Sequence, residues 1–255
     1  METYINEISK TKMKNPILIE GLPGVGNVGR IAAGYLVTEL KMKKVAELYS
    51  PHFLPLVLLH PDSTTEMLKN EFYYYKGKKN DLIIVTGETQ SITPEGHYDI
   101  CDEIIQYAKK QGVKSVITLG GYAENEPVKN PRIIGAVSDK ALVKKYSGLG
   151  IDFGKEHTVG TIVGASGILL GMAKHNKIDG LCIMGETLGM PLVTDPKAAD
   201  KVLQTLSKII GIKINLAKLE KIIKEMDEKI ASTEKIHKKV FQQIPKKDDQ
   251  MRYIG

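Results

Sequence analysis

The segment from Asn15 to Leu40 reads NPILIEGLPGVGNVGRIAAGYLVTEL, and it decides the fold class. The apolar run Pro16 to Glu20 predicts a buried strand, a glycine-rich turn follows, and Val28 to Leu40 predicts a helix. Gly24, Gly26 and Gly29 fit G-x-G-x-x-G in the required context, after a strand and opening a helix. Glycines there admit positive φ, let a ligand approach the backbone, and let the helix pack close to the sheet. Free N–H groups at the helix start can hold an anion. Glu47, on the next strand-like run Lys44 to Leu48, stands roughly where a ribose-binding acid belongs. Two readings follow: a nucleotide or phosphate site, or a tight strand-to-helix turn that binds nothing. The rest of the chain favours the second.

Outward from this segment, strands and helices alternate. Asp81 to Gly87, Val113 to Gly120 and Asp179 to Gly185 are continuous apolar runs, the pattern of strands buried on both faces. Glu71 to Lys76, Arg132 to Val137 and a short piece at His157 to Val163 predict further strands. A helix is predicted from Pro94 to Gln111, with proline at its first position and Gly112 as its stop. Others open at Ser138-Asp139, run from Gly164 to Lys174, and run from Asp195 as N-cap to about Ile210. This alternation predicts an α/β fold with a doubly wound, mostly parallel sheet covered on both faces. Beyond it, Leu216 to Phe241 spaces apolar residues three and four apart, with Glu225/Lys229 and Glu234/Lys238 as favourable pairs. That predicts a long amphipathic helix. Pro245 ends it, and a polar linker leads to the last five residues, MRYIG. The predicted organisation is a globular domain over residues 1–212, then a helix and flexible tail over residues 213–255.

Composition narrows the function. No apolar run is long enough to span a bilayer and the N-terminus has no apolar signal core, so a cytoplasmic protein without membrane contact is expected. Cys101 and Cys182 match no metal or redox spacing, and the six histidines form no ligand set, so neither metal nor cofactor is expected. The net charge of +6 is modest, lysines alternate with Glu and Asp along the chain, and Trp is absent. Nucleic-acid binding, which wants a basic face with aromatics beside it, is not expected.

Several strands end in glycine followed by small or polar residues: Gly87-Glu88-Thr89, Gly120-Gly121-Tyr122 and Gly185-Glu186-Thr187. They would line the carboxyl edge of the sheet, where open α/β proteins place ligands. A candidate crevice there is formed by Gly24, Gly26, Gly29, Glu88, Ser166 and Glu186, with His97 nearby, suited to acid–base work or to ribose and phosphate. The alternative is that small residues let loops turn tightly while the glutamates cap helices or pair across a contact. Gly164-Ala165-Ser166-Gly167 is not a nucleophile elbow, and neither a Walker A lysine nor H-E-x-x-H is present. The tail is the second candidate. Met251, Arg252, Tyr253, Ile254 and Gly255 offer an aromatic anchor, apolar groups and a free carboxylate, the parts of a tail-in-pocket recognition mode.

Taken together, these blocks resemble the proteasome assembly chaperone family, particularly its archaeal members. The matching segments are PILIEGLPGVGNVGRIAAGYL, the TGETQSITPEGHYDICDEIIQYAKKQGVKSVITLGGY block, IVGASGILLGMAK, and LCIMGETLGMPLVTDPKAADKVLQTLSKIIG. They lie in order over about Pro16 to Ile212. The resemblance implies a three-layer α/β/α sandwich similar to nucleoside phosphorylases, no catalysis, and homo-oligomers. It also implies binding to the α-subunits of the 20S proteasome through a hydrophobic-Tyr-any tail. Here Tyr253 is third from the end and Arg252 takes the hydrophobic position. Either the pocket accepts a shifted tail, or this member does not activate. A nucleoside- or phosphate-binding enzyme using the carboxyl edge is the alternative function.

Overall fold

The computed structural model describes residues 1–154, 160–188, 194–219 and 221. In chain order the strands are β1 (Tyr4–Glu7), β2 (Ile17–Gly21), β3 (Lys43–Tyr49), β4 (Val57–Leu59), β5 (Thr65–Met67) and β6 (Asn70–Tyr75). They continue as β7 (Leu82–Gly87), β8 (Ser115–Glu124), β9 (Ile133–Val137), β10 (Ile151–Asp152) and β11 (Asp179–Leu188). The helices are α1 (Val28–Glu39), α2 (Pro94–Lys110), α3 (Ala141–Tyr146), α4 (Ala165–His175) and α5 (Pro196–Ile210).

Nine strands form one sheet in the order β1-β3-β6-β7-β2-β8-β11-β9-β10, while β4 and β5 form a separate hairpin. The apolar runs lie at its centre, where β7, β2, β8 and β11 are parallel. On one flank β1, β3, β6 and β7 pair antiparallel in succession; on the other β9 is antiparallel to β11 and parallel to β10. The sheet is therefore mixed, not mostly parallel as expected. For β6 and β7 the cause is local: a short turn joins them, and a short turn permits only antiparallel pairing.

Side chains alternate across the sheet. Ile19, Ile84, Ile117, Leu119 and Ile183 face a helical layer that includes α1, α3 and α5. Leu18, Ile83, Val85 and Val116 face α2 and α4 on the other side. Burial on both faces is why the central strands lack an apolar/polar rhythm. Thr93 caps α2 by accepting from the Gly96 N–H at 3.1 Å, and Asp195 caps α5 by accepting from Ala198 at 3.0 Å, each followed by proline. Gly112 takes a φ of 77° just past α2.

Other details depart from the sequence reading. Of the Ser138-Asp139 pair expected to open α3, Asp139 does so, its carboxylate accepting from the Ala141 N–H at 2.8 Å, whereas the Ser138 hydroxyl accepts from the Gly180 N–H at 2.8 Å and ties β9 to β11. Residues 160–163 are not a strand, and 157–159 lie outside the described residues. Strand β1 was not expected; it covers one edge, with Tyr4 stacked on Tyr49. Most of the expected Leu216 to Phe241 helix and the whole of the tail lie outside the described residues. What is described of the approach to them packs on the domain: Ile214 and Leu219 are buried beside α1 and α5, and the Tyr35 hydroxyl donates to the Asn215 carbonyl. No helix among the described residues is long and apolar enough to cross a membrane.

Candidate functional site

The glycine turn is filled by the protein's own chain. A Cβ on Gly29 would lie 2.1 Å from the Leu119 carbonyl oxygen, so the first turn of α1 rests directly on the backbone of β8. Gly26 has a φ of 61°, and a Cβ there would meet the Thr187 hydroxyl at 2.8 Å. Its carbonyl accepts from the Asp195 N–H at 2.9 Å. Gly24 differs: its extended backbone suits any residue, and a Cβ would find only the Gln90 amide, at 4.0 Å. Gln90 spans the mouth of the turn, donating to the Pro23 carbonyl and accepting from the Ala165 N–H at 3.0 Å.

Glu47 does not complete a ribose site. Strand β3 is separated from β2 by β6 and β7, whereas the fingerprint needs its acid on the neighbouring strand. Glu47 is also engaged, accepting from Lys44 and Lys69 at 2.7 Å and from Tyr49 at 3.0 Å. Desolvation pushes its pKa up, but these hydrogen bonds together prevail and hold the carboxyl down at about 2.

The acid at the centre of the edge is one that sequence reasoning passed over. Glu20 is fully buried on β2. Its Oε1 accepts from the Leu22 N–H at 2.9 Å, and its Oε2 lies 3.0 Å from the Ser166 hydroxyl at the start of α4. Burial outweighs both hydrogen bonds and pushes its pKa up to about 7. Hydrogen-bond accounting agrees. The Ser166 hydroxyl also lies 3.3 Å from the Leu119 carbonyl. A single hydroxyl proton cannot serve two acceptors. If Glu20 is protonated, it donates to Ser166, Ser166 donates to Leu119, and every group is satisfied. The thiols of Cys101 and Cys182 stand near the same carboxyl, and both are pushed up chiefly by burial. Ser166 therefore links α4 to β2 and β8 in a closed polar cluster.

Glu186, predicted for the same crevice, is paired elsewhere. Arg132 donates to it through Nε at 2.8 Å and through its backbone N–H at 2.9 Å. Burial pushes this carboxyl up, but the Arg132 hydrogen bonds and charge hold it below the usual range. Glu20 and Cys182 flank Thr118 at one level of the sheet, and Glu186 lies four residues further along β11. That is a separation of about 13 Å along the strand alone. Glu88 is half-buried just past β7. His97 sits against the Thr93 carbonyl through Nδ1 at 3.0 Å. The structure thus brings Ser166 to Glu20 but does not gather Ser166, Glu88 and Glu186 around one point.

One further constellation has catalytic outlines. Thr93 Oγ1 lies 3.0 Å from His52 Nδ1, and His52 Nε2 lies 3.1 Å from Asp99. The Thr93 oxygen is already the α2 cap, accepting from Gly96, so its role is structural. No cluster of His, Cys, Asp or Glu suited to a metal occurs among the described residues. The five tail residues, Met251 to Gly255, lie outside them.

A family model described as the PAC2 family matches residues 18–234. An uncharacterized protein of Methanocaldococcus jannaschii is 40% identical over 252 residues, covering 95% of this chain and 93% of its own. Among solved structures, Pyrococcus furiosus PbaB, described as an archaeal proteasome activator, is 39% identical. The match covers 94% of this chain and 98% of that one, with a TM-score of 0.80. Pyrococcus furiosus PbaA, described as an archaeal homolog of proteasome-assembly chaperone, is 29% identical over 92% of this chain and 98% of that one, with a TM-score of 0.74.

Proposed function

Because the chain belongs to the PAC2 family, we propose that it is a non-enzymatic proteasome assembly chaperone or ATP-independent activator. The observation that carries this reading is the near full-length similarity to PbaB. The filled glycine turn supports it, since the fingerprint glycines at 26 and 29 meet the chain's own atoms rather than open space. In this proposal residues 1–212 form the globular body and associate into a homo-oligomer. Residues 213–255 carry the tail, and Met251 to Gly255 dock between α-subunits of a 20S proteasome, with the terminal carboxylate caught by a lysine or by backbone N–H groups. Several tails on one oligomer add avidity without new contacts.

The test is peptide hydrolysis by a 20S core particle, with the full-length chain run beside one truncated after Gln250. Stimulation by the full chain, lost on truncation with oligomer size unchanged, is expected of an activator. Tail-dependent co-sedimentation without stimulation indicates the assembly role. Binding retained after truncation refutes the tail mechanism. The competing reading, a nucleoside- or phosphate-binding enzyme, keeps Gly24 and Glu88 as its accessible positions. A thermal-shift screen with nucleosides, nucleotides and phosphate separates the two, because a ligand of the native state must raise its stability.

A further inference from the structure

The two edges of the sheet differ in charge. The carboxyl edge mixes signs, with Glu88, Glu95, Asp99 and Glu126 beside Lys129, Lys197 and Lys201. The amino edge carries lysines. Lys43 begins β3, Lys78 and Lys79 form the β6–β7 turn, Lys14 precedes β2, and Lys114 precedes β8. Strands β3, β6, β7, β2 and β8 are consecutive neighbours in the sheet, so these five residues form a row about 19 Å long. All five are exposed, and none forms an ion pair among the described residues. Two acids at this edge are committed. Asp81 is buried and accepts from the Lys14 and Gly77 N–H groups and the Tyr74 hydroxyl, and Asp179 pairs with Lys145 at 2.9 Å.

The helix macrodipole accounts for the lysines in last helical turns, such as Lys109, Lys110 and Lys208. It does not account for lysines at strand starts and in a hairpin turn. We propose that this amino edge is a docking surface for the phosphate backbone of a nucleic acid, read without regard to sequence. Unpaired lysines in a row suit sequence-independent phosphate contact, whereas interfaces between proteins are depleted in lysine. The absence of arginine from the row argues against bidentate base readout. A 19 Å row spans a length of duplex that carries about eleven phosphate charges over its two strands. The surface also lies away from the point where the chain leaves the described residues. Leu219 borders Lys129, Pro131 and Pro196 at the opposite edge.

The test is fluorescence anisotropy of a labelled mixed-sequence 30-base-pair duplex with the full chain, from 50 to 200 mM salt, beside a polyglutamate chain of matched charge. Micromolar binding at 50 mM salt is expected. K78E/K79E/K114E should weaken it at least tenfold and reduce the log–log salt slope by about 3. K129E/K197E/K201E makes the same change in net charge at the other edge and should stay within twofold of wild type. The milder K78Q/K79Q/K114Q should fall between, and serves if the charge reversal lowers the melting temperature. No binding at 50 mM, equal weakening by the two glutamate variants, or polyglutamate binding as tightly as the duplex would each overturn the proposal, the last indicating an acidic protein partner.

Discussion

Replacing Glu20 by Gln tests whether the buried acid is held neutral by its surroundings. Its pKa stands near 7 in the folded protein against an ordinary 4.5. Between those values the folded chain binds a proton that the unfolded chain has released, so stability falls as pH rises through this window. The contribution is complete below pH 4.5 and gone above about pH 7. The gap is worth about 3 kcal/mol, or roughly 6–12 °C of melting temperature for a chain of this size. The Gln amide keeps both contacts, accepting from Leu22 and donating to Ser166, and cannot ionise. Wild type and E20Q should therefore melt together near pH 4 and diverge by pH 8, with E20Q the more stable. Chemical denaturation of both proteins from pH 4 to 8 reads the difference directly and cancels every other titrating group. Parallel curves across the whole range would refute the reasoning, because they would mean that Glu20 is ionised throughout or reaches water.

The glycine turn offers a paired test. G29A drives a Cβ into the Leu119 carbonyl and should cost about 3 kcal/mol, whereas G24A meets open space and should stay within about 0.5 kcal/mol in denaturant titrations. A large loss of stability in G24A would break this account. R132A leaves Glu186 buried without its guanidinium partner, keeping the hydrogen bond from the backbone N–H of residue 132. It should cost about 2 kcal/mol, less than for a fully buried pair because the arginine is itself 44% exposed; adding E186Q should recover part of that loss.

Much of the architecture was legible because it rests on local signals. Central strands buried on both faces announce themselves as unbroken apolar runs, and α2 and α5 are marked by a capping Thr or Asp followed by proline. Strand order was not legible. Lys44 to Leu48 follows α1 and reads as the neighbour of the first strand, yet the sheet inserts β6 and β7 between them, and Glu47 goes with β3 to the flank. Glu20 escaped notice because a single acid inside ILIEG looks like the polar end of a strand. Only the docking of α4 against β2 shows that it is sealed. The lysine row escaped for a related reason. Its members are spread from residue 14 to residue 114 and are brought together by the register of five strands, while acids adjacent to them in sequence turn inward or face the other way.

The position of β11 also sets the order of assembly. Strands β8 and β9 are consecutive in sequence, yet β11 lies between them. Until Asp179 to Leu188 has been synthesised, β8 has one bare edge, and β9 can pair only with the two residues of β10. A nascent chain ending before that point exposes ladders on both sides of a gap, the arrangement most open to pairing with a neighbouring chain. The sheet closes only when β11, the last strand among the described residues, enters it from within.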